Sequence, residues 1–427
     1  MSIYAAVLRL HQWFETMRAP QGYTGPVVHW WESSLVYTGV LLDWRYEGIL
    51  CGYVTLFRRT GQSYWLETAI TAADALIAGQ LENGCFWNSS FQIGALEGGT
   101  PHEAAADVGL LELAIVLKEQ SDRRWEIYYL AAQRNLLSYH IGKLWDGRAF
   151  CDQSTNNTHV ANKNSTVLDA LLLYQNLSNE PIKKYVKAIV ELIYSAQVMD
   201  ATMPHYGGIV HLGTGHHRLV IGIYTARSLS ALCRLHETLP RWVDVARLQL
   251  MGQFLYTLLQ PKGTAFGYYP TGDKIQAPLW VSPSGDLLRA FIGLRKIDVN
   301  PLWDDAIQRL TTLITANQMA SGGIPTAYGL HRKGQLTPVT TLPDFRDVLP
   351  VVGWCDKAFR ALALLVKPTN ALLRDVVLNP TTLACHWAGI DCVYQETADK
   401  ILLRIQHNSK FIYSWDKKSP APTVYGL

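Results

Sequence analysis

Apolar residues return along this chain in two alternating patterns. In residues 64–81, 125–144, 182–198, 242–259 and 302–318, a stripe of apolar positions at spacings of three and four faces a polar side. Such a stripe predicts a helix with one face in water. In residues 108–118, 165–175, 219–235, 287–294 and 351–365, and earlier in 46–57, the segment is apolar on nearly every side. That predicts helices buried all round. Breakers join each inner segment to the next outer one: Arg59-Thr60-Gly61, Gln120-Ser121-Asp122, Ser178-Asn179-Glu180-Pro181, Thr238-Leu239-Pro240 and Val299-Asn300-Pro301. Residues 1–17 form a further amphipathic helix, with Tyr4, Val7, Leu8, Leu10, Trp13 and Phe14 set against Arg9, His11 and Glu15.

Glycines follow the outer segments with a period of roughly 60 residues, the length of two helices with a short and a long connection. The repeats are Gln80-Leu-Glu-Asn-Gly84-Cys-Phe86, Gln197 with Gly207-Gly208, Gln260-Pro-Lys-Gly263, and Gln318-Met-Ala-Ser-Gly322-Gly323. Trp145-Asp-Gly147-Arg-Ala-Phe150 fills the remaining gap. Six inner and six outer helices, the first outer one supplied by residues 1–17, predict an all-α fold, a closed (α/α)6 toroid over residues 1–367. An open solenoid needs polar capping repeats at both ends, and none is evident. Residues 368–427 alternate in the strand manner at 382–385, 390–395, 401–406 and 411–415, with a turn at His407-Asn408-Ser409-Lys410. A small antiparallel β appendage is expected there.

In a toroid of this kind the long loops open on one face, where the starts of the inner helices converge. Those starts are polar. They hold Asp43, Arg45 and Glu47; His102, Glu103 and Asp107; His159, Asn162 and Asn164; His216, His217 and Arg218; Ser282, Ser284 and Asp286; and Asp344, Arg346 and Asp347. Helix capping accounts for many Ser, Asp and Asn residues at such places. It does not account for Arg or His, so Arg45, His102, His216, His217 and Arg346 are candidate ligand contacts. The stretch Gly99-Thr100-Pro101-His102-Glu103-Ala104-Ala105-Ala106-Asp107 is the densest start. Pro101 suits a first helical position, and Asp107 lies a full turn inside the helix, where Asp is disfavoured. A buried carboxyl there has a raised pKa, as a general acid or base needs. Asp107 is the first candidate, with Asp286 and Asp347 as further carboxylates. A structural carboxylate paired with Arg45 or Arg218 is the competing reading of Asp107. Glu103 and Asn162 join the expected binding residues, and Trp30, Trp31, Trp280 and Trp354 are the aromatic ones.

Composition narrows the partners. The chain has 427 residues, 48% hydrophobic and 17% charged, with 38 basic against 35 acidic side chains. A net charge of +3 gives no case for nucleic acid. No uncharged apolar run of about 20 residues predicts a membrane span. Residues 1–17 lack the pattern of a signal peptide, and seven scattered cysteines suit a reducing, cytoplasmic setting. The 14 Trp and 21 Tyr offer flat walls for sugar rings or other bulky ligands. No phosphate loop, dinucleotide fingerprint or Gly-x-Ser-x-Gly elbow occurs, and no cofactor or metal is expected. Gly213-Thr-Gly215-His216, Trp354-Cys355 and Cys385-His386 resemble zinc ligands of lanthionine synthetase cyclases, but Trp387 stands where that family's Cys-His-Gly needs glycine.

The hairpin repeat, the Gln-x3-Gly-aromatic helix ends and the polar inner-helix starts resemble the (α/α)6 carbohydrate-active superfamily. That group includes unsaturated glucuronyl hydrolases, N-acylglucosamine epimerase-like enzymes and polysaccharide lyases. The resemblance covers about residues 1–367 at the level of architecture and implies an enzyme that hydrolyses, eliminates or epimerises a saccharide. It implies an inner-helix Asp as acid/base, carried here to Asp107. It also implies that Asn162 with Asn164, and His216 with His217, suit uronate neutralisation and proton transfer. The helix-end motif also resembles the repeat of squalene-type terpene cyclases, although their Asp-x-Asp-Asp run is missing; a cyclase of isoprenoids is the second expectation. A non-catalytic helical scaffold is the third.

Overall fold

The computed structural model describes residues 2–29, 34–37, 43–87, 100–212, 218–275, 277–328, 349–369, 376–387, 390–407, 409–419 and 422–425. Trp30, Trp31, His216, His217, Asp344, Arg346 and Asp347 lie outside them.

Among the described residues the chain is mostly helical, with α1 (Ile3–Thr16), α2 (Tyr46–Thr60), α3 (Ser63–Ala78), α4 (Ala104–Glu119), α5 (Trp125–Arg134), α6 (Ala161–Gln175), α7 (Lys183–Ala196), α8 (Gly222–Thr238), α9 (Val245–Thr257), α10 (Ser284–Ile297), α11 (Pro301–Ala316) and α12 (Val352–Ala363). π-helical turns, Asn135–Leu144, continue α5. The even-numbered helices are the buried ones. Helix α2 packs on α4, α4 on α6, α6 on α8, α8 on α10, α10 on α12, and α12 again on α2. Each odd-numbered helix lies outside one of these: α3 on α2, α5 on α4, α7 on α6, α9 on α8, α11 on α10 and α1 on α12. This order is consistent with an (α/α)6 toroid in which residues 1–17 supply an outer member.

The recurrent Gln and Gly have a common physical role. Gln80 donates through Nε2 to the carbonyl of Gly84 at 2.9 Å and to that of Ala131 in α5 at 2.8 Å. Gln197 bridges Gly207 (3.2 Å) and Arg247 in α9 (3.0 Å). Gln318 bridges Gly322 and Ala6 of α1, both at 2.9 Å. Each amide ties the end of one outer helix to the next, and the last tie returns to the first helix. The glycines themselves turn through positive φ against the neighbouring backbone. A Cβ on Gly207 (φ +89°) would lie 2.3 Å from the Leu250 carbonyl oxygen, and one on Gly322 (φ +89°) 2.4 Å from that of Arg9. Only glycine fits such a place.

Inner helices approach closely too. A Cβ on Gly48 of α2 would meet the Asp356 carbonyl oxygen of α12 at 2.3 Å, and one on Gly285 of α10 would meet the Lys357 backbone at 2.3 Å. These contacts draw the inner helix starts together.

The C-terminal strands Thr381–Trp387, Ile390–Glu396, Lys400–His407, Ser409–Asp416 and Thr423–Tyr425 form one antiparallel sheet in sequence order. It runs a few residues longer than the alternation predicts, and the hairpin closes at His407 and Ser409 as expected. Its inner residues Tyr394, Leu403, Tyr413 and Trp415 are buried in the same core as α1 and α12. Glu396 accepts from Trp13 Nε1 and from Lys417 Nζ, both at 2.9 Å. Among the described residues no helix is long and apolar enough to cross a membrane, and Cys51, Cys85, Cys151, Cys233, Cys355 and Cys392 are buried and form no disulfide.

Candidate functional site

The inner helices are apolar where they pack on one another and charged where they face the ring axis. Glu47, in the first turn of α2, is fully buried. Its Oε2 receives Arg227 Nη1 of α8 at 2.6 Å, and its Oε1 receives Arg360 Nη1 of α12 at 2.5 Å. Burial alone would raise this carboxyl, but Arg227, Arg360 and Lys357 hold it well below the usual carboxylate range. Deeper, Asp169 of α6 pairs with Arg289 of α10 at 3.3 Å and with Arg234 of α8. Arg234 also holds Glu112 of α4 at 2.8 Å. Ion pairs therefore floor the ring.

Above that floor stand the groups at the helix starts. Thr100 accepts the N–H of His102 at 3.3 Å, and Pro101 opens the short 3-10 turn that leads into α4. The turn brings His102 Nδ1 to 3.2 Å from the Thr166 hydroxyl of α6. Arg227 Nε donates to the same hydroxyl at 3.1 Å. Burial, Arg227 and Lys357 together hold the His102 imidazole well below the usual histidine range, so it is a neutral base at pH 7. Its ring lies 5.3 Å from that of Trp44. Trp44 is partly exposed, carries Arg45 at 4.4 Å and Lys357 at 5.0 Å over its ring, and continues to Trp354 at 6.3 Å.

Two carboxyls accompany this wall. Asp356 is buried and accepts from the Gly48 N–H at 3.1 Å and from Lys357 Nζ at 2.5 Å. Burial pushes it up to about 7 against the pull of Lys357. Asp286, in the first turn of α10, lies within electrostatic reach of Arg227 and Asp356. It accepts no hydrogen bond from a described residue, and unlike Glu47 its side chain is not sealed.

The predicted residues divide accordingly. His102, Asp286, Asn162 and Trp354 come to the ring mouth; Asn162 Oδ1 lies 3.3 Å from His211 Nδ1. Arg45 is buried beneath Trp44 and paired with Asp43, so it supports the wall from behind. Glu103 is buried beside it; burial and the Asp43 carboxylate push it well up. Trp280 is fully buried between Trp354 and Phe266, a core residue rather than a platform.

Asp107 corrects the expectation most. It lies five residues from Glu112, about 140° round the helix at 3.6 residues per turn, and turns outward to the wall. Its Oδ2 is 3.8 Å from His140 Nε2 in the π-helical turns that follow α5. Both side chains are fully buried without hydrogen-bond partners. Burial, with the Glu103 carboxyl, raises Asp107 well above the usual range, and burial lowers His140 to about 3. The pairing with Arg45 or Arg218 is likewise not what the structure shows. Within the faint zinc resemblance, Cys355 is buried and donates to the Ile324 carbonyl at 3.4 Å.

Trp44, Thr166, Arg227, Asp356 and Lys357 were not anticipated. The signal available for three of them was a charge inside an otherwise apolar helix.

No family model matches the chain, and no curated protein does. Solved structures do match over most of it. A glycosyl hydrolase of family 88 from Bacteroides vulgatus is 13% identical over 85% of this chain and 98% of that one, with a TM-score of 0.60. A D-mannose isomerase is 10% identical over 85% and 97%, at 0.62. Cellobiose 2-epimerase from Bacillus thermoamylovorans B4167 is 13% identical over 85% and 98%, at 0.59. At such identities the likeness is one of fold alone: the chain shares its helical architecture with a hydrolase, an isomerase and an epimerase.

Proposed function

We propose that the protein is a saccharide-acting enzyme that moves a proton at the ring mouth, with His102 as the base. The observation that carries this is the imidazole of His102, neutral at pH 7, held by the Thr166 hydroxyl, which Arg227 holds in turn, beside the partly exposed ring of Trp44. Trp44 and Trp354 offer flat faces to a sugar ring. Lys357 and the axis arginines favour an oxyanion or a carboxylate on the substrate. Asp286 is the carboxyl placed to return or relay the proton.

Proton abstraction at a sugar carbon, as in epimerisation, isomerisation or elimination, suits this set better than hydrolysis. A hydrolase needs two carboxyls flanking the bond. Among the described residues Asp286, though largely buried, accepts no hydrogen bond from another, whereas Asp356 is committed to Gly48 and Lys357. A carbocation cyclase needs a dry aromatic cavity, and the charged floor of Glu47, Arg227 and Arg360 argues against one. A non-catalytic scaffold gives no reason for a half-buried, neutral histidine among cations.

The test is turnover in D2O against aldoses, ketoses, reducing disaccharides and uronate oligosaccharides, followed by NMR. Deuterium entering a sugar carbon in wild type and not in His102→Gln supports the reading. A substrate turned over without exchange, with His102→Gln fully active, overturns it.

A further inference from the structure

The loop between α5 and α6 carries a second group of donors that the proton-transfer reading does not use. Asp146, Cys151 and His159 each offer one ligand atom, and the three atoms lie within 4.8 Å of one another. His159 Nε2 is 2.9 Å from Asp146 Oδ2 and 3.8 Å from Cys151 Sγ. Arg148 Nη2 reaches Asp146 Oδ2 at 3.3 Å, from a side chain that is three-quarters exposed.

The arrangement separates two chemistries. In a Cys–His–Asp relay, the thiol and the carboxylate engage opposite ring nitrogens, so that a proton entering at one is balanced at the other. Here both face the same nitrogen. Three donors turned to one point describe a coordination site. Zinc bonds of about 2.0–2.3 Å in a tetrahedron place donors about 3.3–3.7 Å apart. The sulfur–nitrogen separation is close to this already. The oxygen–nitrogen separation is a hydrogen bond that opens by about half an ångström when a metal replaces its proton.

The frame is built from backbone pairing. Trp145 pairs with Phe150, and Cys151 with His159. The Asp152 N–H donates to the Thr158 carbonyl at 2.7 Å. Asp146 Oδ1 accepts the N–H groups of Arg148 at 2.9 Å and Ala149 at 3.1 Å, which leaves Oδ2 for the site. Cys151 is buried, while the Asp146 and His159 side chains are 19% and 17% exposed, so water can reach the remaining position.

We propose that Asp146, Cys151 and His159 bind a divalent ion of the zinc class through three protein ligands and a water. Binding releases the thiol proton to solvent and moves the Nε2 proton of His159 to Nδ1, or to solvent where the ring already carries two, leaving thiolate, carboxylate and neutral imidazole on the ion. The ion clamps the loop that enters α6, the helix of Asn162 and Thr166. This proposal is independent of the saccharide reading, and its readouts do not involve turnover.

The experiment is a Co2+ titration of chelator-treated full-length protein, with displacement by Zn2+. Wild type is expected to develop a saturable thiolate-to-cobalt charge-transfer band that Zn2+ abolishes. Cys151→Ser is expected to lose that band. His159→Ala should weaken binding by more than the ~10–100-fold that loss of an outer partner costs. Should Cys151→Ser fail to fold, Asp146→Asn keeps the oxygen that the Arg148 and Ala149 N–H groups need, removes the ligand charge, and is expected to weaken binding likewise. Absence of the band in wild type, or an equal band in the variants, overturns the proposal.

Discussion

Nη1 of Arg227 and Oε2 of Glu47 meet at 2.6 Å across the ring axis, joining helices that stand opposite one another in the inner circuit. The pair sits below His102 and closes the floor of the mouth. Both charges are buried, so each depends on the other for solvation lost on folding, and Glu47 on Arg360 as well.

Removing one partner should therefore be costly. Glu47→Ala leaves two guanidiniums facing each other in the core and is expected to destabilise by about 3–5 kcal/mol. Denaturant unfolding measures it; a change below about 1 kcal/mol, the range of exposed pairs, would contradict the pairing.

Acid should act through the same group. The folded pKa of Glu47 lies below its unfolded value, so its contribution is present above about pH 4.3 and is lost as pH falls further. Glu112 and Asp169, lowered by Arg234, act in the same direction. Glu47→Gln is expected to flatten the acid limb of a stability–pH curve.

His140 makes a separate contribution at milder pH. Its folded pKa of about 3 lies below the unfolded value, so the unfolded chain takes up a proton first as pH drops through about 6.5. At about 1.4 kcal/mol per pH unit, stability falls by about 2 kcal/mol between pH 6.5 and pH 5. His140→Gln should lose less over that interval. Thermal unfolding at the two pH values decides.

Asp107 runs the other way. A carboxyl held above its unfolded pKa costs stability once pH rises past about 3.9. Asp107→Asn is expected to keep or improve stability at pH 7 and to leave turnover within a few-fold of wild type. A loss approaching the ~10²–10⁴-fold of a removed general acid or base would return Asp107 to the mechanism.

For His102 the expectation is loss of turnover by ~10²–10⁴-fold in His102→Gln with the fold retained. Because its pKa is lowered, activity should persist below about pH 6.5, the ordinary histidine value. A wild-type profile that collapses at that value would contradict it. Trp44→Ala should raise KM far more than Trp44→Phe if the ring stacks on substrate.

Much of this architecture was legible along the chain. The alternation of striped and uniformly apolar helices specified inner and outer layers, because burial selects residues by face and by period. The Gln and Gly repeats marked where outer helices join. The starts of α2, α4, α6 and α10 were correctly read as polar, and Pro101 as a start signal, whereas α8 and α12 open on the apolar Ile221 and Val351. What the chain alone left open was direction around each inner helix. Asp107 and Glu112 are both acids in one apolar helix, yet about 140° of rotation sends one to a greasy wall and the other to the axis. Trp44 and Trp280 both precede an inner helix, yet one lies at the mouth and one in the core. Whether a buried charge meets a partner depends on residues hundreds of positions away, as Glu47 with Arg227 and Arg360. Only closure of the helices on one another decides that.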